Sequence, residues 1–393
     1  MSGLHVLHVL NSTSGGSAIS TFQLIEYLKP LGVTSSLICF ANGTPEQYQE
    51  ISDLVEGRVL FRKLHWMNKR IRARGWKRPA VEALDWATTW GGHRYKKEMV
   101  AFARQHGVQL VHTSTMLNPE GVLIARALNL PHIWHGRELI GPDQPYRFYR
   151  FSAWRRWMES NSKKIITNSE VTHRLYQQYF PESHLQLIPN GIPLHGWSPK
   201  HHKEKDQLVV GMVGNLTTRW KNHPLFVDIA LAALKKGLPM EFRMYGQIPE
   251  PEDAYVQSLR QKIVAAGQGE NIKLMGFHGD PKAFIPELDV MLHTASNESF
   301  GRVFIEAMAC GIPVMGLPEG GALDLVRPME NGYLFKSVSE AVGYLETLRK
   351  SEERERMGQQ GRKMVENKYD IQVVVNALRS LYQEVIWSND QQE

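Results

Sequence analysis

The chain has 393 residues, of which 42% are hydrophobic and 22% are charged, and its formal net charge at pH 7 is +6. This length exceeds what one hydrophobic core usually organises, so it predicts two domains, and the ordinary composition excludes a disordered or low-complexity protein. The two cysteines, Cys39 and Cys310, lie far apart in apolar segments. This usage excludes a disulfide scaffold and predicts buried thiols in a reducing compartment.

The amino-terminal residues lead directly into an alternating apolar pattern, without the basic leader and long apolar region of a secretory signal. The chain also lacks an uninterrupted apolar run of about 18 residues, the length that a membrane-spanning helix requires. The sequence therefore predicts a cytoplasmic protein, and any contact with a membrane is expected to be peripheral, at the cytoplasmic face.

Short apolar runs rich in β-branched residues alternate with amphipathic segments of helical period, a pattern typical of parallel sheets built from βα units. In the first half, strands are predicted at residues 6–10, 36–40, 110–114, 132–136, 164–168 and 185–189, and a helix at 19–31. In the second half, strands are predicted at 208–214, 241–245, 272–277, 290–294, 313–317 and 332–335. The predicted fold class is α/β, with two Rossmann-like, doubly wound parallel sheets.

A polar, proline-containing stretch separates the two series of strands and has no periodicity, as expected of an interdomain linker. We therefore predict an amino-terminal Rossmann-like domain at 1–195, a linker at 196–206 and a second Rossmann-like domain at 207–370. Residues 371–393 contain a last amphipathic helix that is expected to pack back against the first domain. Because ligands bind beyond the carboxyl ends of parallel strands, two such domains facing each other would enclose a cleft that contains the site.

The segment from Asn297 to Pro313 reads NESFGRVFIEAMACGIP. Residues 302–309 are good helix formers followed by a glycine stop, so a helix is predicted to open near residues 299–301. The free amide groups and positive dipole end of that helix would form an anion site for a diphosphate. Glu298 before the helix and Glu306 on its second turn would then contact hydroxyls on two different parts of one nucleotide sugar.

This E-x7-E arrangement closely resembles the signature of family 4 (GT4) retaining glycosyltransferases, also called glycosyl transferases group 1, which have the GT-B fold. The resemblance implies that Glu298 contacts the donor sugar at the catalytic centre and that Glu306 binds the ribose. It implies a nucleotide-sugar donor and a saccharide or lipid-linked acceptor, as in polysaccharide biosynthesis. It further implies that the domain at 1–195 binds the acceptor and that the domain at 207–370 binds the nucleotide sugar. The residues around the helix opening are implied to bind the donor, namely Ser299, Phe300, Gly301, Arg302 and Val303.

Other segments match the family in the expected order along the chain. Gly15 and Gly16, after the first strand, are implied to lie beside the acceptor and, for Gly16, the donor diphosphate, although a glycine pair also fits a plain turn. His135, at the end of a strand, matches a histidine near the reacting sugar and is implied to be catalytic, although a lone histidine there also fits a structural role. Residues 188–192 resemble the stretch that closes the first domain, and we interpret them as a turn.

The second half departs from the family at one position. The family opens this domain with Gly-Arg and a lysine a few residues later, and these two cations hold the diphosphate. Here Asn215 replaces the arginine and Lys221 matches the lysine. Arg219 is a candidate to supply the missing charge and is equally consistent with a solvated loop cation. Phe277 and His278 correspond to the region that frames the nucleotide base of the donor.

The resemblance further implies retention of the anomeric configuration by front-face displacement, in which the departing phosphate oxygen takes the proton of the incoming hydroxyl. We therefore do not interpret Glu298 as a glycosidase-type nucleophile. The sequence contains no Asp-x-Asp pair and no Cys/His cluster with zinc spacing. We predict a metal-independent transferase without a cofactor, for which the nucleotide-diphosphate sugar is a co-substrate.

Two basic and aromatic segments of the first half are candidates for contact with the acceptor. Residues 57–81 contain nine Lys or Arg and no acidic residue, and residues 146–157 interleave Arg with Tyr, Phe and Trp. Both segments are equally consistent with docking on an anionic membrane or an acidic lipid-linked acceptor and with a solvated loop and a core-facing helix. No nucleic-acid-binding motif accompanies the charge, so no nucleic-acid partner is predicted.

Three other functions fit parts of the sequence. A nucleotide-sugar epimerase would share the fold and would consume donor without any acceptor. A dinucleotide-dependent oxidoreductase is disfavoured because Gly-x-Gly-x-x-Gly is missing after the first strand of either half. A catalytically inactive carbohydrate-binding protein is favoured only by Asn215.

Overall fold

A computed structural model of the chain describes residues 3–40, 43–62, 96–141 and 151–391. The chain divides into two compact units. The first unit comprises Met1–Gly191 together with Ile371–Glu393, and the second comprises Ile192–Asp370. Most of the basic segment at 57–81, and residues 146–150 of the second basic segment, lie outside the described residues.

The strands of the described residues are β1 (Leu4–Leu10), β2 (Val33–Phe40), β3 (Val59–Arg62), β4 (Leu110–Thr113), β5 (His132–Gly136), β6 (Lys164–Thr167), β7 (Leu185–Leu187), β8 (Leu208–Val213), β9 (Met240–Tyr245), β10 (Ile272–Gly276), β11 (Val290–His293), β12 (Val314–Gly316) and β13 (Gly332–Leu334). The helices are α1 (Gly16–Leu28), α2 (Pro45–Leu54), α3 (Lys96–Gln105), α4 (Glu120–Leu128), α5 (Phe151–Ser160), α6 (Glu170–Gln177), α7 (His223–Lys235), α8 (Ala254–Ala265), α9 (Arg302–Ala309), α10 (Ala322–Leu325), α11 (Val338–Thr347), α12 (Ser351–Met364) and α13 (Ile371–Asp390).

In the first unit the described strands form a seven-stranded parallel sheet in the order β3-β2-β1-β4-β5-β6-β7. Each of the six strands predicted for this half is present, and the sheet has one strand more, β3. That strand lies at the edge of the sheet, and its four residues are only half buried. Its sequence therefore lacks the continuous apolar run that identifies the central strands.

Helix α13 belongs to the first unit although it follows the whole of the second unit in sequence. Its apolar face includes Leu378 and Val375, which are buried in one core cluster with Leu24 and Leu28 of α1. Burying each such side chain stabilises the folded state by about 1.5–3 kcal/mol relative to leaving it exposed. The carboxy-terminal segment thus completes the core of the first unit.

In the second unit the described strands form a six-stranded parallel sheet in the order β10-β9-β8-β11-β12-β13, and all six correspond to predicted strands. The segment 196–206, predicted as a linker, belongs instead to this unit, whose first residue is Ile192. Lys200 and Lys205 each lie 2.8 Å from Oδ1 of the buried Asp289. A buried carboxylate requires such partners, so the segment is fixed to the domain by charge.

The aromatic residues of α5 belong to the second basic segment, residues 146–157. Phe151, Trp154 and Trp157 pack against a core cluster of the first unit, and Nη1 of Arg155 donates to the Tyr179 carbonyl oxygen at 2.6 Å. For this described part of the segment, the core-facing interpretation is the one that the structure supports. Among the described residues we find no helix whose length and hydropathy would allow it to span a bilayer.

Candidate active site

Helix α9 of the second unit begins at Arg302, where the sequence predicted it. The preceding Gly301 has φ 91° and ψ 58°, a left-handed conformation that a glycine adopts without strain. A Cβ atom on Gly301 would also lie 2.7 Å from the ring of Phe304. Gly301 has no side chain with which to cap this helix start, and the amide groups at a helix amino terminus have an anion-binding character.

A glycine loop after β12 supports the backbone in front of α9. The amide of Gly321 donates to the carbonyl oxygen of Glu298 at 2.8 Å. A Cβ atom on Gly320 would lie 2.4 Å from that oxygen, and one on Gly321 would lie 1.9 Å from the Phe300 carbonyl oxygen. The two glycines are therefore required for the close approach of this loop to residues 298–300.

Glu298 forms a charged cluster with Lys221 and His293. The Nζ of Lys221 lies 2.5 Å from Oε2 of Glu298, and Nε2 of His293 lies 3.5 Å from the same oxygen. Burial acts to raise the pKa of Glu298, but the charge of Lys221 and the contact with His293 outweigh it and hold this pKa well below its usual range. Glu298 is therefore ionised, and its partner in the described structure is the lysine predicted to bind the diphosphate.

The backbone of Lys221 is fixed from the end of β11. The Thr294 hydroxyl donates to the Lys221 carbonyl oxygen at 3.1 Å, and the Ser296 amide donates to the Trp220 carbonyl oxygen at 2.9 Å. The loops after β8 and β11, two adjacent strands, are thus tied together at their carboxyl ends. This is the edge of a parallel sheet at which ligands bind.

His293 is a site residue that the sequence analysis missed. It is the last residue of β11, is buried, and packs edge-on against the ring of Phe304 with centroids 5.2 Å apart. Burial and the neighbouring Lys221 lower the pKa of His293, although Glu298 acts to raise it. The signal that could have identified it is a polar residue ending a central strand just before the motif.

Glu306 has a separate partner. Its carboxylate accepts from Nε of Arg302 at 2.7 Å, one turn earlier on α9, and its side chain is 7% exposed. Burial raises the pKa of Glu306, and the charge of Arg302 opposes that shift. The structure thus places both predicted glutamates on or beside α9, each with a different cation.

The residues predicted around the helix opening have side chains in two different environments. The Phe300 side chain is buried in the core of the second unit, where its ring lies 5.8 Å from that of Tyr369, so only its backbone is available to a ligand. The predicted contact of Phe300 with the donor stays a prediction, and it would have to be made by the backbone. Ser299, Arg302 and Val303 are half buried.

Arg219 is already paired in the structure. It forms an ion pair with Asp253, the residue that caps α8, and its guanidinium carbon lies 3.9 Å from the centroid of the Tyr255 ring. To supply the charge missing at Asn215, Arg219 would have to leave this pair. Asn215 itself accepts from the Gln247 amide at 2.9 Å and so holds the loop after β9.

Phe277 and His278 follow β10, at the same edge of the sheet as the other strand ends. The Phe277 side chain is 72% exposed. His278 packs edge-on against Tyr245 and Phe284, with centroid distances of 5.3 and 5.7 Å. These two residues do not contact the Glu298 cluster through any hydrogen bond among the described residues, and their predicted contact with the base stays a prediction.

The remaining predicted residues lie in the first unit. Gly15 has φ 83° and precedes α1, which begins at Gly16, and a Cβ atom on either glycine would meet open space. His135 is buried at the carboxyl end of β5. Its Nδ1 lies 3.2 Å from Nε2 of His112 and 3.4 Å from Nη2 of Arg137.

Arg137 is a second site residue that the sequence analysis missed. It is buried, and its Nη1 donates to Oδ1 of Asn190 at 3.1 Å, which connects the end of β5 to the Pro-Asn-Gly turn. Burial, followed by the charge of Arg137, holds the pKa of His135 well below its usual range. An arginine directly after the predicted strand 132–136 was the available signal, since a buried cation at a strand end requires a reason.

Within the described ranges, His, Cys, Asp and Glu side chains do not form a group of three or more that could hold a metal ion. Cys39 and Cys310 are both free and buried, and burial raises the pKa of each thiol to about 12.

Comparison with known proteins places both units in one family. A family model described as Glycosyltransferase Family 4 matches residues 14–195, and one described as Glycosyl transferases group 1 matches residues 196–364. The chain is 30% identical over 189 residues to the capsular polysaccharide biosynthesis glycosyltransferase CapM of Staphylococcus aureus, covering 47% of this chain and 48% of CapM. It is 26% identical over 265 residues to the D-inositol 3-phosphate glycosyltransferase of Jonesia denitrificans, covering 59% and 61% of the two chains.

These matches show that the chain spans about half the length of the curated relatives it matches. Among solved structures, Anabaena HepE in complex with UDP and glucose superposes with a TM-score of 0.73 at 18% identity, covering 97% of this chain and 100% of HepE. At that identity the likeness concerns the fold alone, and it is the fold with two parallel-sheet domains that the sequence predicted. The chain therefore belongs to the family 4, group 1 glycosyltransferases and has the GT-B fold of that family.

Proposed function

We propose that the chain transfers a sugar from a nucleotide-diphosphate sugar to a hydroxyl acceptor, with retention of the anomeric configuration. The observation that carries this proposal is the cluster of Lys221, Glu298 and His293 beside the start of α9. It combines a cation and a helix amino terminus, which suit a diphosphate, with a carboxylate that suits sugar hydroxyls.

On binding, the donor diphosphate would replace Glu298 as the partner of Lys221. The ammonium group and the amides of α9 would then stabilise the charge that develops on the leaving phosphate, an effect worth several kcal/mol in a site closed to water. Glu298, released from the ion pair, would accept hydrogen bonds from the donor sugar. Because the pKa of Glu298 lies below its usual range, it would do so as an anion at neutral pH.

Glu306 is proposed to bind the ribose hydroxyls. Its side chain is buried and its pKa is raised, so additional hydrogen-bond donors such as a ribose diol would stabilise the ionised form. Arg302, which already donates to Glu306, would keep the carboxylate oriented toward the start of the helix.

Retention is proposed to follow from front-face displacement. The departing phosphate oxygen takes the proton from the incoming hydroxyl, so the protein has to position reactants and stabilise charge without a covalent intermediate. The cations near the leaving group in this scheme come from the chain itself, which supports transfer without a metal ion or other cofactor.

The acceptor is proposed to be a saccharide or a lipid-linked precursor of a polysaccharide. This proposal rests on the names of similar proteins, which include CapM and the lipopolysaccharide core mannosyltransferases LpsB and LpcC. A cytoplasmic protein that meets its acceptor at the cytoplasmic face of a membrane would fit such a substrate. The basic segment at 57–81 is the candidate for peripheral contact with anionic lipid.

The test combines binding and turnover. A panel of nucleotide sugars is screened for a rise in the melting temperature, because a ligand that binds only the folded state stabilises it. The donor that gives a rise is then incubated with the protein, with and without saccharide acceptors, and the anomeric configuration of the product is determined by NMR. Conversion of donor to an isomeric nucleotide sugar without acceptor would instead indicate an epimerase.

The matched variants are Glu298→Gln and Glu346→Gln. Glu346 forms an ion pair with Lys236 at 2.6 Å on the surface of the same unit, with side chains 47% and 53% exposed for Lys236 and Glu346. Loss of product in Glu298→Gln alone is expected. If no nucleotide sugar raises the melting temperature, or both variants lose activity equally, the proposed function is wrong.

A further inference from the structure

The first unit contains a buried chain of hydrogen bonds that ends at His135. The hydroxyl of Tyr382, on α13, lies 2.5 Å from Nδ1 of His112, on β4. The Nε2 of His112 lies 3.2 Å from Nδ1 of His135, on β5, and the two imidazole planes are nearly parallel, at 6°, with centroids 5.3 Å apart. All three side chains are buried. This series of hydrogen bonds therefore connects the carboxy-terminal helix to the end of a central strand.

The direction of proton donation follows from Tyr382. Its hydroxyl is fully buried, and His112 is the partner that the described residues provide for it. Leaving a buried hydroxyl donor unsatisfied costs about 1–3 kcal/mol, so Tyr382 donates to Nδ1 of His112. A neutral imidazole that accepts at Nδ1 carries its proton on Nε2. His112 therefore donates from Nε2 to Nδ1 of His135.

Arg137 favours the same direction. Its Nη2 lies 3.4 Å from Nδ1 of His135, and a guanidinium group contains donors only, so it favours an unprotonated Nδ1. Burial, followed by the charge of Arg137 and the nearby His112 and His8, holds the pKa of His135 well below its usual range. Burial, followed by His8, Arg137 and His132, does the same for His112. Both rings are therefore neutral, and each carries one proton.

With Nδ1 as an acceptor, His135 carries its proton on Nε2. That nitrogen is buried, and no described group lies within hydrogen-bonding distance of it. Buried donors almost always have a partner, so a bound molecule is the natural acceptor. We propose that Tyr382 and His112 are positioning residues that fix His135 as an Nε2–H donor to a hydroxyl or ring oxygen of the sugar substrate. This inference rests on the proposed function only in assigning His135 to a sugar.

The tautomer of His135 can be observed without any substrate. On protein labelled with ¹⁵N only at histidine, two-bond ¹H–¹⁵N correlation spectra distinguish a protonated from an unprotonated ring nitrogen, and His135→Gln assigns the signals. At neutral pH His135 is expected to show a protonated Nε2 and an unprotonated Nδ1. An unprotonated Nε2 would overturn the proposal, whether or not the chain transfers sugar.

Variants then separate positioning from stability. Tyr382→Phe removes only the hydroxyl and is expected to shift the His135 signals toward a mixture of tautomers and to lower kcat about tenfold, with little change in KM. His112→Gln retains an acceptor oxygen toward Tyr382 and a donor nitrogen toward His135, so it should recover most of the kcat that His112→Leu loses.

The control is Tyr176→Phe, which removes another buried hydroxyl of the first unit, one that donates to the Glu138 carbonyl oxygen at 2.9 Å. It should lower the melting temperature and leave the His135 signals and kcat unchanged. Equal losses of kcat in Tyr382→Phe and Tyr176→Phe, or equal losses in His112→Gln and His112→Leu, would show that the chain of hydrogen bonds is structural only. A wild-type protein without transfer activity would refute the proposed function and leave the tautomer measurement intact.

Discussion

The strand ends of the two units hold their polar groups in opposite ways. In the second unit Lys221 and Glu298 form an ion pair whose side chains are 17% and 23% exposed, so a charged ligand can compete for either partner. In the first unit His135, His112 and Tyr382 are buried and neutral, and their protons follow one path of hydrogen bonds. One site therefore exchanges charge, and the other presents a single directed donor.

This difference matches what a sugar transfer requires. A diphosphate leaving group needs cations that can exchange their protein partner for the phosphates. A sugar hydroxyl is recognised by neutral donors and acceptors held in fixed positions. Burial makes the hydrogen-bonded series of Tyr382, His112 and His135 rigid, since each buried polar group must keep its partner.

The largest effect is expected for Glu298→Gln. The amide keeps the shape of the side chain and removes the negative charge, so hydrogen bonds to the donor sugar weaken most where charge develops. We expect kcat/KM for transfer to fall about 10²–10³-fold, as for the loss of a preorganised group at the reacting centre. The measurement is initial-rate kinetics with the identified donor and acceptor, with Glu346→Gln as the control.

A smaller loss is expected for Lys221→Ala. Removing the ammonium group takes away one charge-assisted contact to the diphosphate, which corresponds to about 1.5–3 kcal/mol, or roughly a tenfold to hundredfold loss of donor affinity. Lys236→Ala removes a surface lysine from a comparable ion pair and should have no effect on donor binding. Equal donor affinities in the two variants would contradict a role for Lys221 in binding the diphosphate.

Gly321→Ala tests the backbone that supports the charged site. The added Cβ would lie 1.9 Å from the Phe300 carbonyl oxygen, so the loop in front of α9 must move. We expect a loss of about 3 kcal/mol in the free energy of unfolding and a parallel loss of donor binding. Gly343→Ala, on α11 in open space, is the control and should stabilise slightly, by about 0.5–1 kcal/mol. Unchanged stability in Gly321→Ala would show that the loop is not held as described.

Another buried histidine of the first unit, His132, predicts a pH dependence of stability. Burial lowers the pKa of His132, on β5, from 6.5 to about 3. Below pH 6.5 the unfolded chain binds a proton that the folded chain does not, so stability is complete above pH 6.5 and falls as the pH decreases toward 3. One such histidine costs about 1.6 kcal/mol between pH 6.5 and 5.

Urea unfolding as a function of pH measures this loss. The variant His132→Asn should have a shallower slope by about one proton in that range. A slope identical to that of the wild type would mean that His132 already titrates in the folded protein.

The sequence was sufficient for the fold because parallel strands buried on both faces are continuous apolar runs. It missed β3, an edge strand with half-buried residues, and it placed a linker at 196–206, because pairing of Lys200 and Lys205 with Asp289 depends on residues far apart in sequence. Polar stretches look alike in sequence whether they are solvated or bound to a buried carboxylate.

For the site, the motif predicted α9 and both glutamates, since local propensity and a family pattern agree there. The partners of those glutamates were harder to predict from the sequence. His293 ends a strand without any motif of its own, and Tyr382 reaches His112 across a separation in sequence that no local pattern reports. Arg219 was a candidate for the phosphate clamp, and the pairing with Asp253 that engages it arises only on folding.

The most direct test of the account is calorimetric titration of UDP and GDP into the wild type, Lys221→Ala and Glu298→Gln. If the diphosphate displaces Glu298 from Lys221, the nucleotide that binds the wild type should bind Lys221→Ala at least about tenfold more weakly and Glu298→Gln at least as tightly as the wild type, although Glu298→Gln no longer transfers sugar. Equal weakening in both variants, or no change in either, would contradict the claim that the ion pair is the diphosphate site.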